Sequence, residues 1–137
     1  MASSKVDLNH GRIGRIESLD EMASILFPGN KNHQRVFLAV FVELKWADGQ
    51  FLKALEPVAD KHGLSRRVLE TVRAKMRRMG IIDHVSRFNK THGYREGWVF
   101  SNRFAKSLQR LAEVSASLRQ RKGSVQERKD RDSIHYI

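Results

Sequence analysis

The stretch KHGLSRRVLETVRAKMRRMG, residues 61–80, holds seven Lys or Arg side chains and one acid, Glu70. Six of the cations, Arg66, Arg67, Arg73, Lys75, Arg77 and Arg78, follow its serine, Ser65, with Thr71 and Ala74 among them. A guanidinium presents a rigid fork of donors that matches phosphate oxygens, and an ammonium meets them as a point charge. The chemistry open to these residues is therefore recognition of a polyanion. Leu64, Val68, Leu69, Val72, Met76 and Met79 recur through the same stretch at helical spacing. The cations thus share a helix with an apolar stripe. Such a charged face is often only a solvated surface, and the rest of the sequence has to decide.

Other chemistry has little support. With no cysteine there is no disulfide, thiolate metal site or cysteine nucleophile. The six histidines form no metal pattern. His84 and His92 share one predicted hairpin, but the nearby Asp83 falls on the opposite strand face. There is no nucleophile–base pair, no phosphate-binding glycine loop and no useful pair of carboxylates. Glu56, Asp60 and Glu70 read as helix-surface charges. No enzyme activity, cofactor or metal is expected.

The chain has 137 residues, which fits one domain with terminal extensions. Its net charge of +11 is localised. Residues 1–60 sum to −1, residues 61–95 to +8 and residues 96–137 to +4. Charge gathered in one segment is an electrostatic footprint for a polyanion. Anionic membrane is a weaker fit than nucleic acid. The apolar side of 61–80 is needed for a core, and no Trp or Phe flanks it. The N-terminal residues hold no apolar run that reads as a signal peptide. The longest apolar patch, VFLAVFVEL at 36–44, is short of the roughly 20 residues a membrane span needs. A soluble cytoplasmic protein is expected, nucleoid-associated if prokaryotic, with no membrane partner.

The elements that must position the basic stretch can be read from caps and periodicity. Residues 1–17 read as a flexible basic arm with Lys5, Arg12 and Arg15. Ser18 and Glu21 form a capping-box pattern before a short helix ended by PGN at 28–30. Asn30 or Asn32 caps a helix over about 32–46, with Phe37, Val40, Phe41 and Leu44 as its core stripe and Val36 beside it. Trp46 is expected to be half-buried. Pro57 is welcome only in a first turn, which starts a helix near Leu55 and leaves 51–53 short and extended. The alternative is one helix from Gln50 that tolerates Pro57. Ser65 caps the basic helix and Gly80 ends it. IIDHVSRF (81–88) and YREGWVFS (94–101) form a hairpin around the polar tip NKTHG, with Trp98 and Phe100 expected in the core. Asn102 caps a last helix, 102–119, in which Phe104, Leu108, Leu111, Ser115 and Leu118 follow each other at spacings of four and three. Residues 120–137 are charged, lack periodicity and read as a disordered tail.

Within this order, EPVADKHGLSRRVLETVRAKM (56–76) resembles a helix-turn-helix. Ala59 lets the second helix approach closely, Gly63 supplies the turn, and Leu64 plugs the gap between the helices. Ser65 caps the second helix, and Leu69 and Val72 face inward onto Val58 and Ala59. Pro57 departs from the pattern at the start of the first helix. With the hairpin after Gly80, residues 32–101 resemble the winged helix-turn-helix superfamily. The flanking helices are similar to those of dimeric prokaryotic transcription regulators of the MarR or PadR type. The fold class expected is mainly α with a small β-hairpin wing, as a winged helix-turn-helix domain (18–101) flanked by N- and C-terminal helices.

The resemblance implies that the helix at 65–79 enters the major groove of double-stranded DNA. Ser65, Arg66, Arg67, Glu70 and Thr71 would then be nearest the bases. Arg73 and Ala74 share the outward arc, and Lys75, Arg77 and Arg78 would meet phosphate. The wing would add Arg87, Asn89, Lys90, Thr91, His92, Tyr94 and Arg95. Phe104, Leu108, Leu111 and Leu118 are the candidate dimerisation seam. Sequence-specific DNA binding by a homodimeric transcription regulator is the function expected. The alternatives are a DNA- or RNA-binding part of a replication, partition or viral apparatus, and a winged-helix scaffold whose basic face meets an acidic protein.

Overall fold

A computed structural model describes residues 5–91 and 93–136, with Arg87 and Asn89 described through their backbone alone. The chain divides into two units, one ending at Arg103 and one beginning at Phe104. The first is mainly helical with a small antiparallel sheet. Its elements are α1 (His10–Ile13), α2 (Leu19–Leu26), α3 (Lys31–Trp46), a 3-10 turn (Asp48–Gln50), β1 (Phe51–Leu52), α4 (Glu56–Lys61), α5 (Arg66–Met79), β2 (Ile82–Asn89) and β3 (Gly93–Phe100). Helix α6 (Arg103–Leu118) leads into the second unit, which continues with α7 (Ser124–Ser133) and a 3-10 turn (Ile134–Tyr136).

Local chemistry sets the helix ends. The Ser18 hydroxyl accepts from the Glu21 amide at 3.4 Å. Glu21 in turn accepts from the amide of Glu17, one residue before the cap. Asn30, not Asn32, caps α3 by accepting from His33 at 3.0 Å. Pro57 sits in the first turn of α4, where its missing N–H costs no helical bond. Two Schellman motifs frame α5. At the first, the Leu64 amide donates to the Ala59 carbonyl at 2.8 Å and Gly63 to Asp60 at 3.3 Å. At the second, Ile81 donates to Met76 at 2.9 Å and Gly80 to Arg77 at 3.0 Å. Gly63 and Gly80 reach φ of +64° and +85° there, a region that a Cβ disfavours.

The core lies where α3, α4 and α5 meet. Phe37, Val40, Leu44, Leu55, Ala59, Leu69, Val72, Met76 and Ile82 are all buried. A larger aliphatic or aromatic side chain among them contributes about 1.5–3 kcal/mol of transfer free energy. Aromatic contacts at 5.6, 5.6 and 5.0 Å run from Phe27 through Phe37 and Phe41 to Phe100, tying α2, α3 and β3 together. The one buried polar side chain among the described residues, Gln34, donates to the Phe27 carbonyl at 2.9 Å.

The sheet has the order β1-β3-β2, all antiparallel. Phe51 faces Val99 and Leu52 faces Trp98. The β2–β3 ladder runs from Ile82↔Phe100 to Asn89↔Gly93. It therefore reaches one residue closer to the tip on each strand than the expected 81–88 and 94–101. Gly97 keeps β1 close to β3. A Cβ there would run into the Leu52 carbonyl oxygen and lie 2.7 Å from the Phe51 ring.

Five expectations need correction. The arm contains α1 and is strapped to α2. The Asp7 amide donates to the Ile25 carbonyl at 2.9 Å, and Arg12 reaches both Asp7 and Ser24 at 2.6 Å. The charged tail contains α7, which is held by polar pairs at i,i+4, Gln126–Asp130 and Arg131–Glu127. Neither element depends on apolar periodicity, so neither shows in an apolar pattern. Trp46 is 75% exposed, with Lys45 over its ring. Phe41 is only half-buried. At the start of α6, the Ser101 hydroxyl accepts the Arg103 amide at 3.1 Å, where Asn102 was the expected cap. No residue of α6 or α7 is buried. No helix among the described residues is long and apolar enough to cross a membrane.

Candidate nucleic-acid interface

Helix α5 turns Leu69, Val72 and Met76 onto α3 and α4. At 3.6 residues per turn, Arg66, Arg67, Glu70, Ala74, Arg77 and Arg78 fall on an arc of roughly 120° on the side away from that stripe. All six are exposed. Ser65 begins the helix, and its hydroxyl accepts from the Val68 amide at 3.3 Å. The Thr71 hydroxyl donates to the Arg67 carbonyl at 3.2 Å, so it leans along the helix at the edge of the arc.

The cations of this helix are held differently. Arg67 makes no side-chain hydrogen bond or ion pair among the described residues. Arg66 forms a bidentate pair with Asp60, at 2.7 and 3.2 Å. The Arg66 hydrogen bond holds Asp60 below the usual carboxylate range, and Asp60 raises Arg66 in return. Both side chains are more than half exposed, so water competes for the pair and release of Arg66 costs little. Arg73 is turned away from the arc. It pairs with Glu56 at 3.0 Å and lies over the Trp98 ring at 5.5 Å, only 23% exposed. The backbone amide of Glu56 and then Arg73 lower the Glu56 pKa. Lys75 points to the other flank, 3.3 Å from His33 Nδ1 and over the Phe27 ring. Burial, then the Lys75 charge, lowers the His33 pKa. The fold therefore takes Arg73 and Lys75 out of the expected set of outward cations and leaves Arg66, Arg67, Arg77 and Arg78 on the arc.

An open depression of about 690 Å³ borders the arc, with Arg73, Ala74, Arg77 and Trp98 among its lining residues. Arg103, which sequence reasoning did not single out, closes one side. Its Nη2 donates to the Arg77 carbonyl at 3.1 Å and to the Asp83 carboxylate. That contact holds Asp83 below the usual carboxylate range. Arg103 thus clamps the end of α5 to the start of β2. Its partners lie 20 and 26 residues away, so no local pattern announces it.

In the hairpin, directly paired residues share a face. His84↔Trp98 and Phe88↔Tyr94 lie on one face. The Arg73–Trp98 stack turns this face toward α5. His84 packs on Trp98 at 4.9 Å and sits 3.5 Å from Glu96. Arg95 lies on the opposite face and is folded over the Phe51 ring at 4.4 Å, a contact that Gly97 makes room for. Lys90, Thr91 and Tyr94 are exposed. Arg87 and Asn89 pair with Arg95 and Gly93 through their backbones. The expected contact at His92 lies outside the described residues. Phe88, 78% exposed, was missed. The alternation of β2 places it on the α5-facing side, and its aromatic type at a basic tip is the signal that could have found it.

In the second unit, Phe104 is half-buried, while Leu108, Leu111 and Leu118 are 43, 59 and 69% exposed. The expected seam is therefore an open apolar stripe along α6. No protein-family model matches the chain, and no curated protein or solved structure matches it.

Proposed function

We propose that the chain is a winged helix-turn-helix protein that binds double-stranded DNA in a sequence-specific way, as a homodimeric transcription regulator. The observation that carries this reading is the exposed arc of α5, with four arginines opposite the buried stripe, beside a hairpin whose exposed tip carries Lys90. In this arrangement α5 enters the major groove with its N-terminal turn toward the base edges. Arg67 is the leading base-contact residue, since no internal partner has to be displaced. Arg66 exchanges Asp60 for DNA. Glu70 accepts from a cytosine amino group, and Thr71 and Ala74 meet a thymine methyl or the groove wall. Arg77, Arg78 and Lys90 meet phosphates. Arg73 and Lys75 hold the helix in place. Two copies related by a two-fold axis, joined through the Phe104, Leu108, Leu111 and Leu118 stripe, would read half-sites about one helical turn apart.

Selection of bound sequences from random duplex DNA, with the mass of the complex measured alongside, tests the reading. A discrete two-fold-related site is expected. With about eight phosphates neutralised per dimer, affinity should fall about 10³–10⁵-fold between roughly 50 and 200 mM salt. Affinity that ignores salt, or selection that returns no enriched site, would remove the proposal.

A further inference from the structure

We propose that Phe88 and Tyr94 form an aromatic wedge that enters the minor groove beside the α5 contact, unstacks one base step and bends the duplex. The inference rests on the DNA-binding reading above and adds a specific contact to it. The two residues are direct cross-strand partners near the end of the hairpin. They are 78 and 64% exposed, so they do little for the core of this chain. Large aromatic side chains left in water side by side mark a surface made for a partner.

Geometry and charge select the partner. The aromatic pair lies on the sheet face that carries Trp98 and His84, the face turned toward α5. From Trp98 to Tyr94 is four residues along β3, about 13 Å at the rise of an extended strand. Neighbouring major and minor grooves lie roughly 17 Å apart, half of the ~34 Å helical turn. A duplex held against α5 therefore brings its next minor groove to the aromatic end of the hairpin. Lys90, exposed at the tip, supplies positive charge beside the rings. Arg95 is folded back on Phe51, on the other face, so the rings and not that guanidinium present themselves to the groove. Apolar side chains entering a minor groove unstack a step and kink the duplex away from themselves, by roughly 20–90°.

The test uses the full chain and a duplex carrying its selected site. One set of duplexes has 2-aminopurine at successive positions beside the α5 contact, and another is end-labelled for energy transfer. The wild-type protein should raise 2-aminopurine fluorescence at one step and shorten the end-to-end distance. The F88A/Y94A variant should lose both signals and bind roughly 10- to 100-fold more weakly. Its circular dichroism and melting temperature should be unchanged, because both side chains are exposed. The F88L/Y94L variant should keep most of the bend, because leucine can also act as a wedge. Equal bending and affinity for F88A/Y94A would overturn the proposal, as would wild-type binding with no 2-aminopurine response. Binding to phosphatidylserine vesicles that needs Phe88 and Tyr94, with duplex affinity indifferent to them, would assign the pair to a membrane and also overturn it. A wild-type protein that binds no duplex at all would end the underlying DNA reading as well. Binding without bending removes only the wedge.

Discussion

Helices α5 and α6 are both amphipathic and nearly equal in length, yet they leave opposite faces uncovered. In α5 the apolar stripe is closed, with Leu69, Val72 and Met76 at 1, 0 and 0% exposure, and the arginine arc is open. In α6 no residue is buried, and the stripe of Leu108, Leu111 and Leu118 is itself in water. The difference teaches what each helix still lacks. An exposed arc of four arginines, whose Arg66–Asp60 ion pair is itself open to water, is completed by a polyanion. An apolar stripe is completed by apolar surface, and in the proposed dimer the same stripe of a second copy supplies it.

The sharpest way to break this comparison is to truncate the two stripes. Leu69→Ala should cost about 2–5 kcal/mol, because it leaves a cavity in a closed core. The loss should be independent of protein concentration in denaturant titrations. Leu111→Ala should leave dilute protein within about 0.5 kcal/mol of wild type. It should weaken self-association in sedimentation equilibrium, and equal self-association would break the assignment of the α6 stripe.

Charge reversal separates the open arc from the tethered cations. Arg67→Glu should weaken duplex binding by roughly 100-fold or more, about 2.7 kcal/mol, with an unchanged melting temperature. Arg73→Glu should instead lower the melting temperature, because it sets two carboxylates together at Glu56 and removes the Trp98 stack. If Arg73→Glu were as stable as wild type, its assignment to the fold would fail.

Smaller effects sharpen the picture. Ser65→Ala should cost about 1 kcal/mol, measured by thermal melting, because the Val68 amide loses its acceptor. The effect of pH should be the gentlest. Glu43, Glu56, Asp60 and Asp83 have lowered pKa values in the folded chain, from hydrogen bonds to their basic or backbone neighbours. Their contribution is present above the unfolded carboxylate range and is lost as pH falls through the folded values. His33 is also lowered, so its neutral form is favoured on folding, and stability drops as pH falls below its ordinary 6.5. Every sign agrees: midpoints in denaturant should decline below about pH 6.5 as His33 protonates, and again below about pH 4.5 as the carboxylates do. A midpoint that rises on acidification would contradict the ion-pair geometry.

Much of the scaffold around the basic helix was legible in the sequence. The caps at Ser18 and Ser65, the early Pro57 and the left-handed Gly63 and Gly80 act within a few residues, so residue type and spacing suffice to find them. The hairpin was found to within one residue at its tip, and the inward set of α5 followed from a period of 3.6. The polar helix α7 and the strapped arm were missed because ion pairs and Asx caps leave no apolar rhythm. Within the candidate site, the identity of the cations was plain, but their availability was not. Arg73 meets Glu56 17 residues away, Lys75 meets His33 42 residues away, and Arg95 lies on Phe51 across the sheet.

By itself the sequence determined where α2 and α5 start and stop, which stripe of α5 turns inward, and that positive charge gathers between residues 61 and 95. Those properties are local or additive, set by backbone geometry at caps and glycines and by the sum of charges. Only the tertiary structure decided that Arg73 and Lys75 are drawn off the arc, that Phe88 and Tyr94 stand together in water on the α5-facing side, and that the α6 stripe is left open. These depend on partners brought together from distant parts of the chain, where sheet register and close packing, not sequence spacing, set the neighbours.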